Sequence, residues 1–193
     1  MNDPDAAFWD TRYLCGRIAW DQPEPPRAFA DFLSRRQPAG RAFVPGCGSG
    51  YEIRALHAAG WTTLGIDYSL AAVTRAHKVL GPLAGLVRHG DFFTPEPGWE
   101  TFDLVYERTF LCALPTTQRR AYGRRMAELV ASGGVLCGFF FFGPEDEPPP
   151  HPIAEDELWL ILGHDFERIE DKAVPDSLPL FAGKERWQVW QRK

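Results

Sequence analysis

The fold of this 193-residue chain is decided by one stretch, Val44-Pro-Gly-Cys-Gly-Ser-Gly50. Its glycines, at positions 46, 48 and 50, follow a short apolar strand candidate and precede an amphipathic helix candidate. Glycine has no Cβ and can adopt positive φ, so it suits a strand-to-helix turn that a ligand approaches closely. The stretch therefore predicts a ligand-binding turn in an α/β fold.

Beyond this turn, short apolar runs alternate with longer amphipathic ones, the pattern of βα units around a parallel sheet. Strand candidates are 42–44, 62–66, 86–88, 102–106, 135–142, 166–170 and 186–190. Helix candidates are 51–59, 70–80, 117–130 and 154–162, with Ser69 as an N-cap and Gly60 and Gly133 as C-terminal stops. This order predicts a Rossmann-like, doubly wound, mostly parallel seven-stranded sheet with helices on both faces.

The length suits one domain, predicted over 1–193 with an N-terminal lid segment over 1–40 and a core over 41–193. The longest strongly apolar run, 135–142, is far shorter than the about 20 residues of a membrane span. A net charge of -5 argues against a nucleic-acid partner, and the basic pairs at 35–36, 119–120 and 124–125 are interpreted as solvated helix faces. We expect no membrane partner, no nucleic acid and a monomer.

The cysteines and histidines are not spaced as metal ligands usually are. The four cysteines form no CxxC pair, and the five histidines form no HExxH motif. The start of the chain has neither the basic nor the apolar run of a targeting sequence. These patterns predict no metal, no disulfide framework and a cytoplasmic location.

Asp67 supplies the context that gives the glycine turn its meaning. It lies 21 residues after Gly46, at the end of the next strand candidate. A carboxylate at this position can accept hydrogen bonds from both ribose hydroxyls of an adenosine ligand. Asp67 could instead cap the helix that begins near Ser69, and the two roles are compatible.

Two further groups follow the third and fourth strand candidates. Asp91 and Phe92 combine a carboxylate with a ring that could take the amino group and the face of an adenine. Glu107 and Arg108 end the fourth strand, near the place where doubly wound folds hold the reacting group. Each group could be structural alone, but together they fall at the carboxyl ends of four successive strands.

The glycine spacing separates two classes of cofactor. Dinucleotide enzymes use GxGxxG to seat a pyrophosphate, whereas this chain has GxGxG, which suits S-adenosylmethionine because that cofactor has no phosphate. None of the five tyrosines has a lysine four residues later, as a short-chain dehydrogenase requires. A nucleotide-linked oxidoreductase is therefore the weaker alternative, beside a non-catalytic module that binds S-adenosylmethionine.

Nearly the whole chain resembles the thiopurine S-methyltransferase superfamily, in particular its branch of thiol and halide methyltransferases. The resemblance rests on ordered motifs: FWD at 8–10, WDQ at 20–22, VPGCGSG at 44–50, GIDYS at 65–69, GDFF at 90–93, FDLVYERTFLCALP at 102–115, MAELVASGG at 126–134 and FAGKERW at 181–187. It implies S-adenosylmethionine as the cofactor and a small soft nucleophile, namely a thiol, thiopurine, selenol or halide, as the methyl acceptor.

The resemblance also implies the residues of the site. Cofactor contacts are expected at Trp9, Tyr13, Trp20, Gly46, Gly48, Asp67, Asp91, Phe92 and Glu107. The three aromatic residues of the N-terminal segment could fold over the cofactor as a lid. Members of the thiol and halide branch tend to have tryptophan where this chain has Tyr13.

The predicted chemistry is an in-line displacement, for which alignment and exclusion of water matter most. A thiolate or halide needs no positioned base, in contrast to an alcohol. Arg108 is the catalytic candidate because its charge could attract an anion or a thiolate. The proline-rich segment 143–152 is expected to be a loop, either over the ligand or as a plain surface connection.

Overall fold

A computed structural model describes residues 4–36, 40–96 and 99–193. Contacts between Cα atoms divide the chain into two compact units, Met1–Glu96 and Pro97–Lys193. The predicted lid segment over 1–40 lies partly outside the described residues. Its separation from a core over 41–193, within a single domain, stays a prediction.

The first unit contains the glycine turn and the elements around it. These elements are α1 (Ala6–Leu14), α2 (Arg27–Ser34), β1 (Arg41–Pro45), α3 (Tyr51–Ala58), β2 (Thr62–Asp67), α4 (Leu70–Leu80) and β3 (Val87–His89). The β1 and β2 strands pair in parallel, as do β2 and β3. Helix α1 packs against α4.

The second unit contains the longer strands. Its elements are β4 (Phe102–Arg108), α5 (Arg119–Leu129), β5 (Val130–Phe141), α6 (Glu155–Leu162), β6 (Phe166–Ala173) and β7 (Glu185–Arg192). The β4 and β5 strands are parallel, while β7 runs antiparallel to both β5 and β6. Strand β5 is buried from Val135 to Phe141, as a strand with neighbours on both edges requires.

Among the described residues, seven strands form one sheet in the order β3-β2-β1-β4-β5-β7-β6. Strands β1, β2 and β3 follow one another outward in one direction, and β4 and β5 follow one another in the other, as in a doubly wound sheet. Beyond β5 the order departs from the sequence, because β7 is inserted between β5 and β6. The predicted fold class is confirmed. Each of the seven predicted strands overlaps an observed one.

The predicted helix ends are partly correct. Ser69 is the N-cap of α4, and its hydroxyl accepts the N–H of Ala72 at 3.1 Å. Gly60 follows α3 with a φ of 90°, as a helix stop should. The prediction for Gly133 is wrong, because α5 ends at Leu129 and Gly133 lies inside β5.

A bulge explains the error at Gly133. The pairing of β4 with β5 steps from Phe102↔Val130 to Leu104↔Val135, so β5 carries extra residues there. Gly133 has a φ of 77° within this bulge. A glycine can mark a bulge in a strand as readily as the end of a helix, and the sequence alone does not distinguish them.

Helix α2 was not predicted. It begins after Pro26 and buries Phe29 and Phe32, three residues apart on one face. With eight residues it offers little periodicity to detect. None of the helices in the described parts of the chain is long and apolar enough to cross a membrane.

Gly123 lets α5 approach α6, and Gly123→Ala tests this contact. A Cβ there would lie 2.5 Å from Ile161 Cγ2 and 2.6 Å from the Ile161 carbonyl oxygen. Alanine gains about 0.5–1 kcal/mol in a helix, but overpacking against backbone costs about 1–3 kcal/mol. We expect a lower free energy of unfolding in urea. Gly85→Ala, where the Cβ meets nothing within 4 Å, is the control, and equal stability of the two variants would contradict the packing argument.

Candidate active site

The glycine turn joins β1 to α3. Gly46 and Gly48 have φ values of 58° and 52°, which non-glycine residues rarely adopt. The N–H of Cys47 donates to the carbonyl oxygen of Ile66 at 2.9 Å and so fastens the turn to β2. The turn is thus fixed by backbone geometry that glycine alone adopts without strain.

Asp67 holds this turn through its side chain. It is 9% exposed, and its Oδ2 accepts the N–H of Gly48 at 2.9 Å while Oδ1 accepts the N–H of Ser69 at 2.8 Å. A carboxylate has about four lone-pair sites, so two remain for a ligand. Burial raises the pKa of Asp67 to about 6, although both backbone N–H groups oppose the shift.

Three aromatic residues from the N-terminal segment form a cluster. The ring centroid of Trp20 lies 5.7 Å from that of Trp9 and 6.2 Å from that of Tyr13, both edge to face. A Cβ added to Gly48 would lie 2.7 Å from the hydroxyl oxygen of Tyr13. The structure therefore brings the aromatic cluster to the glycine turn. Burial, with a further contribution from the Asp67 charge, raises the pKa of Tyr13.

Asp91 and Phe92 follow β3. The Asp91 carboxylate is held within its own turn, where Oδ1 accepts the N–H of Phe93 and Oδ2 accepts the hydroxyl of Thr94, both at 3.0 Å. Phe92 is buried and packs edge to face on Phe93 at 5.1 Å. The N–H of Gly90 donates to the Asp67 carbonyl oxygen at 3.1 Å, which links the end of β3 to the end of β2.

In the second unit, Glu107 organises the turn after β4. It is 1% exposed, and its Oε2 accepts the N–H groups of Phe110 and Leu111, each at 3.0 Å. Burial raises the pKa of Glu107 to about 7, against the effect of these two donors. Gly138 is its register partner in β5, and a Cβ there would collide with the Glu107 carbonyl oxygen. Only a residue without a side chain fits opposite Glu107.

Arg108 ends β4 and is half-buried. Its guanidinium carbon lies 5.6 Å from the centroid of the Phe139 ring, a cation–π distance. The next residue, Thr109, has a φ of 58°, a strained value for a β-branched residue. Strain of this kind costs about 1–3 kcal/mol and concentrates at functional sites.

Glu185 is a buried acid of the same unit that sequence reasoning did not single out. Burial raises its pKa, while a hydrogen bond from Ser177 and the charge of Arg108 oppose the shift. Arg108 therefore has a carboxyl group in its electrostatic environment. The FAGKERW motif contains Glu185, but motif spacing does not reveal that this residue faces inward.

The segment 143–152 is an irregular loop, as predicted. It is tied down by Arg119, which donates to the Pro152 carbonyl oxygen at 2.6 Å and pairs with Glu157 at 2.7 Å. The N–H of His151 donates to the Cys112 carbonyl oxygen at 2.6 Å, so the loop is bonded to the segment that follows Arg108. Whether it covers a ligand stays a prediction.

Arg119 corrects one interpretation of the basic pairs. Arg120 and Arg124 are exposed, as solvated helix faces should be, but Arg119 is buried. Its partners are more than 30 residues away in sequence, which local patterns do not reveal. Among the described residues, no group of three or more His, Cys, Asp or Glu side chains could hold a metal ion.

Comparison with known proteins identifies the family of this chain. The family model for thiopurine S-methyltransferase matches residues 4–193. The chain belongs to the thiopurine S-methyltransferase family. The resemblance inferred from the sequence is thereby confirmed.

Relatives of this family member include plant enzymes. It is 33% identical over 170 residues to probable thiol methyltransferase 2 of Arabidopsis thaliana, covering 84% of this chain and 74% of the relative. It is 29% identical over 193 residues to thiocyanate methyltransferase 1 of Brassica oleracea, covering 95% and 84%.

A solved structure supports the fold of this family member. The magnesium protoporphyrin IX methyltransferase of Synechocystis PCC 6803, crystallised with bound S-adenosylmethionine, is 16% identical with a TM-score of 0.76 over 100% of this chain and 98% of that chain. At this identity the likeness shows the shared fold alone.

Glu107 makes the stability of this family member depend on pH. The folded state keeps the Glu107 proton up to a pKa of about 7, whereas the unfolded chain releases it near 4.5. The free energy of unfolding should therefore fall as pH rises between these values. Glu107→Gln keeps an acceptor oxygen and removes this loss, so it should gain stability relative to the parent across that window.

Urea denaturation at a series of pH values measures this difference. Glu128→Gln is the matched control, because the Glu128 side chain is 62% exposed. Parallel curves for Glu107→Gln and the parent protein would contradict the buried, protonated carboxyl.

Proposed function

We propose that this chain is a methyltransferase that moves the methyl group of S-adenosylmethionine to a small soft nucleophile by in-line displacement. The acceptor class is a thiol, thiopurine, selenol or halide. The observation that carries the proposal is the buried Asp67 carboxylate bonded to Gly48, because it puts a hydrogen-bond acceptor between the glycine turn and the start of α4. The family and the names of its plant relatives support the same reaction.

The residues of the first unit fit this cofactor. The unused lone pairs of Asp67 suit the two ribose hydroxyls, and Gly46 and Gly48 are proposed to meet the cofactor through their backbone. The missing side chain at Gly48 also admits the Tyr13 hydroxyl beside the turn. Asp91 and Phe92 are proposed for the adenine, with Asp91 already oriented by its own turn. The cofactor supplies an activated methyl group when it is bound.

The aromatic cluster is proposed as the lid. Trp9, Tyr13 and Trp20 carry electron-rich ring faces that attract a sulfonium by about 0.5–2 kcal/mol each and exclude water. Tyr13 places its hydroxyl beside Gly48. At the position of Tyr13, members of the thiol and halide branch tend to have tryptophan. This lid belongs to the proposed single domain, with residues 1–40 over a core of 41–193.

The second unit is proposed to serve the acceptor. Arg108 would attract an anionic or thiolate acceptor, and Glu107 fixes the turn after β4 while standing in the proposed cofactor set. A thiolate or halide attacks without a base, so this chain's main tasks are orientation and exclusion of water. We further propose a cytoplasmic monomer with no nucleic-acid or membrane partner.

Asp67→Ala tests the cofactor assignment. Loss of charge-assisted hydrogen bonds to the ribose should raise the dissociation constant of S-adenosylmethionine about 10- to 100-fold. Isothermal titration calorimetry measures the constant, with Asp31→Ala, an exposed aspartate of α2, as the control. Unchanged affinity in a folded Asp67→Ala protein would remove Asp67 from the site.

Arg108→Ala tests the acceptor assignment. Loss of its charge should lower kcat/KM for the acceptor about 10- to 100-fold and leave cofactor affinity nearly intact. Arg124→Ala removes an exposed arginine of α5 and should match the parent protein. A collapse of cofactor affinity in Arg108→Ala would assign this residue to the cofactor site or to the fold.

A further inference from the structure

Asp21 ties the N-terminal segment to the glycine turn. Its Oδ2 accepts the hydroxyl of Ser49 at 2.8 Å and pairs with Arg75 Nη2 at 3.2 Å. Arg75 Nε also donates to the Ser49 oxygen at 2.7 Å, which closes a three-membered network. The Asp21 side chain is only 10% exposed, whereas the Arg75 side chain is 43% exposed, so the carboxylate is the sheltered end of the network.

Asp10 makes a second connection, from α1 to the start of α4. Its Oδ1 accepts the hydroxyl of Ser69 at 2.6 Å and the N–H of Ala71 at 2.9 Å. The hydrogen bond from Ser69 is the largest of the causes that lower the pKa of Asp10. A negative charge is favourable at this helix end because the first N–H groups of a helix have no partner within it.

The positions of these two contacts follow a pattern. Asp10 is next to Trp9, and Asp21 is next to Trp20, so each aspartate adjoins a member of the aromatic cluster. Their partners are Ser49, next to Gly48, and Ser69, whose N–H is bonded to Asp67. Each contact thus joins the lid to a loop that carries a proposed cofactor residue.

We propose that Asp10 and Asp21 are positioning residues that hold the aromatic cluster closed against the glycine turn. This inference rests on the proposed function, because the closed cluster matters only if a cofactor lies beneath it. Neither aspartate needs to touch the cofactor. Each favours the closed arrangement, and the apparent dissociation constant rises in proportion as the closed fraction falls.

Asp21→Asn and Arg75→Met test the inference, alone and combined. We expect the dissociation constant of S-adenosylhomocysteine, measured by calorimetry, to rise about tenfold in each. The double variant should resemble either single one, because all three variants lose the same ion pair between Asp21 and Arg75. Asp10→Asn, which acts at the other connection, should weaken binding by itself and add to the effect of Asp21→Asn.

Tryptic cleavage after Arg17, an exposed residue between the two aspartates, reports the closed state without activity. It should be faster in the variants, and saturating S-adenosylhomocysteine should restore protection. Glu128→Gln breaks an ion pair of 2.9 Å in α5 and is the matched control. Chemical denaturation midpoints show whether a variant has lost its fold, and Asp21→Glu should restore protection in part.

The outcomes separate this inference from the proposed function. The positioning role alone would be overturned if the wild-type chain binds the cofactor and the three variants match it in affinity and in the rate of tryptic cleavage. These variants are Asp21→Asn, Arg75→Met and Asp10→Asn. An affinity loss matched by an equal loss in global stability, without faster cleavage after Arg17, would also overturn it. No binding by the wild-type chain would overturn the proposed function and this inference together.

Discussion

Asp67 is buried at the end of β2, and its two oxygens accept the backbone N–H groups of Gly48 and Ser69. These bonds set the glycine turn against the start of α4, because one rigid carboxylate satisfies both. The same residue accepts the N–H of Gly90 through its carbonyl oxygen. The turns that follow β1, β2 and β3 therefore depend on one side chain and its backbone.

The second unit uses a similar device. Glu107 is buried at the end of β4 and accepts two backbone N–H groups of the next turn, which carries the chain past Arg108 and the strained Thr109. In both units burial raises the pKa of the acid, because the charged carboxylate loses hydration. Each of these turns is therefore held by an acid whose ionised form is destabilised. A buried carboxyl is a costly way to stabilise a turn, and it suits a turn that must also present groups to a ligand.

Local sequence patterns are sufficient to predict the features that depend on residues close together in the chain. The glycine turn, the Ser69 cap and the buried run of β5 each depend on a few adjacent residues, so the doubly wound sheet followed from them. The prediction of a helix stop at Gly133 is wrong because a bulge and a helix stop both favour a residue with positive φ. The short helix α2 offers too few turns for its periodicity to stand out.

Long-range contacts could not be predicted in the same way. The burial of Arg119 depends on residues 33 and 38 positions away, and the fit of Gly138 depends on a strand register. The connections of Asp10 and Asp21 span 59 and 28 residues to Ser69 and Ser49. Candidate residues at strand ends were recognisable by type and position, whereas the side chains that hold them were not.

The most direct test of this account is the formation of S-adenosylhomocysteine by the purified protein. The protein is mixed with S-adenosylmethionine and, separately, with iodide, hydrosulfide, an aromatic thiol and a thiopurine. The account predicts product with at least one of these soft nucleophiles, and the rates would rank the acceptors. Binding of S-adenosylmethionine without product from any of the four would contradict the proposed reaction and favour a module that binds the cofactor without catalysis.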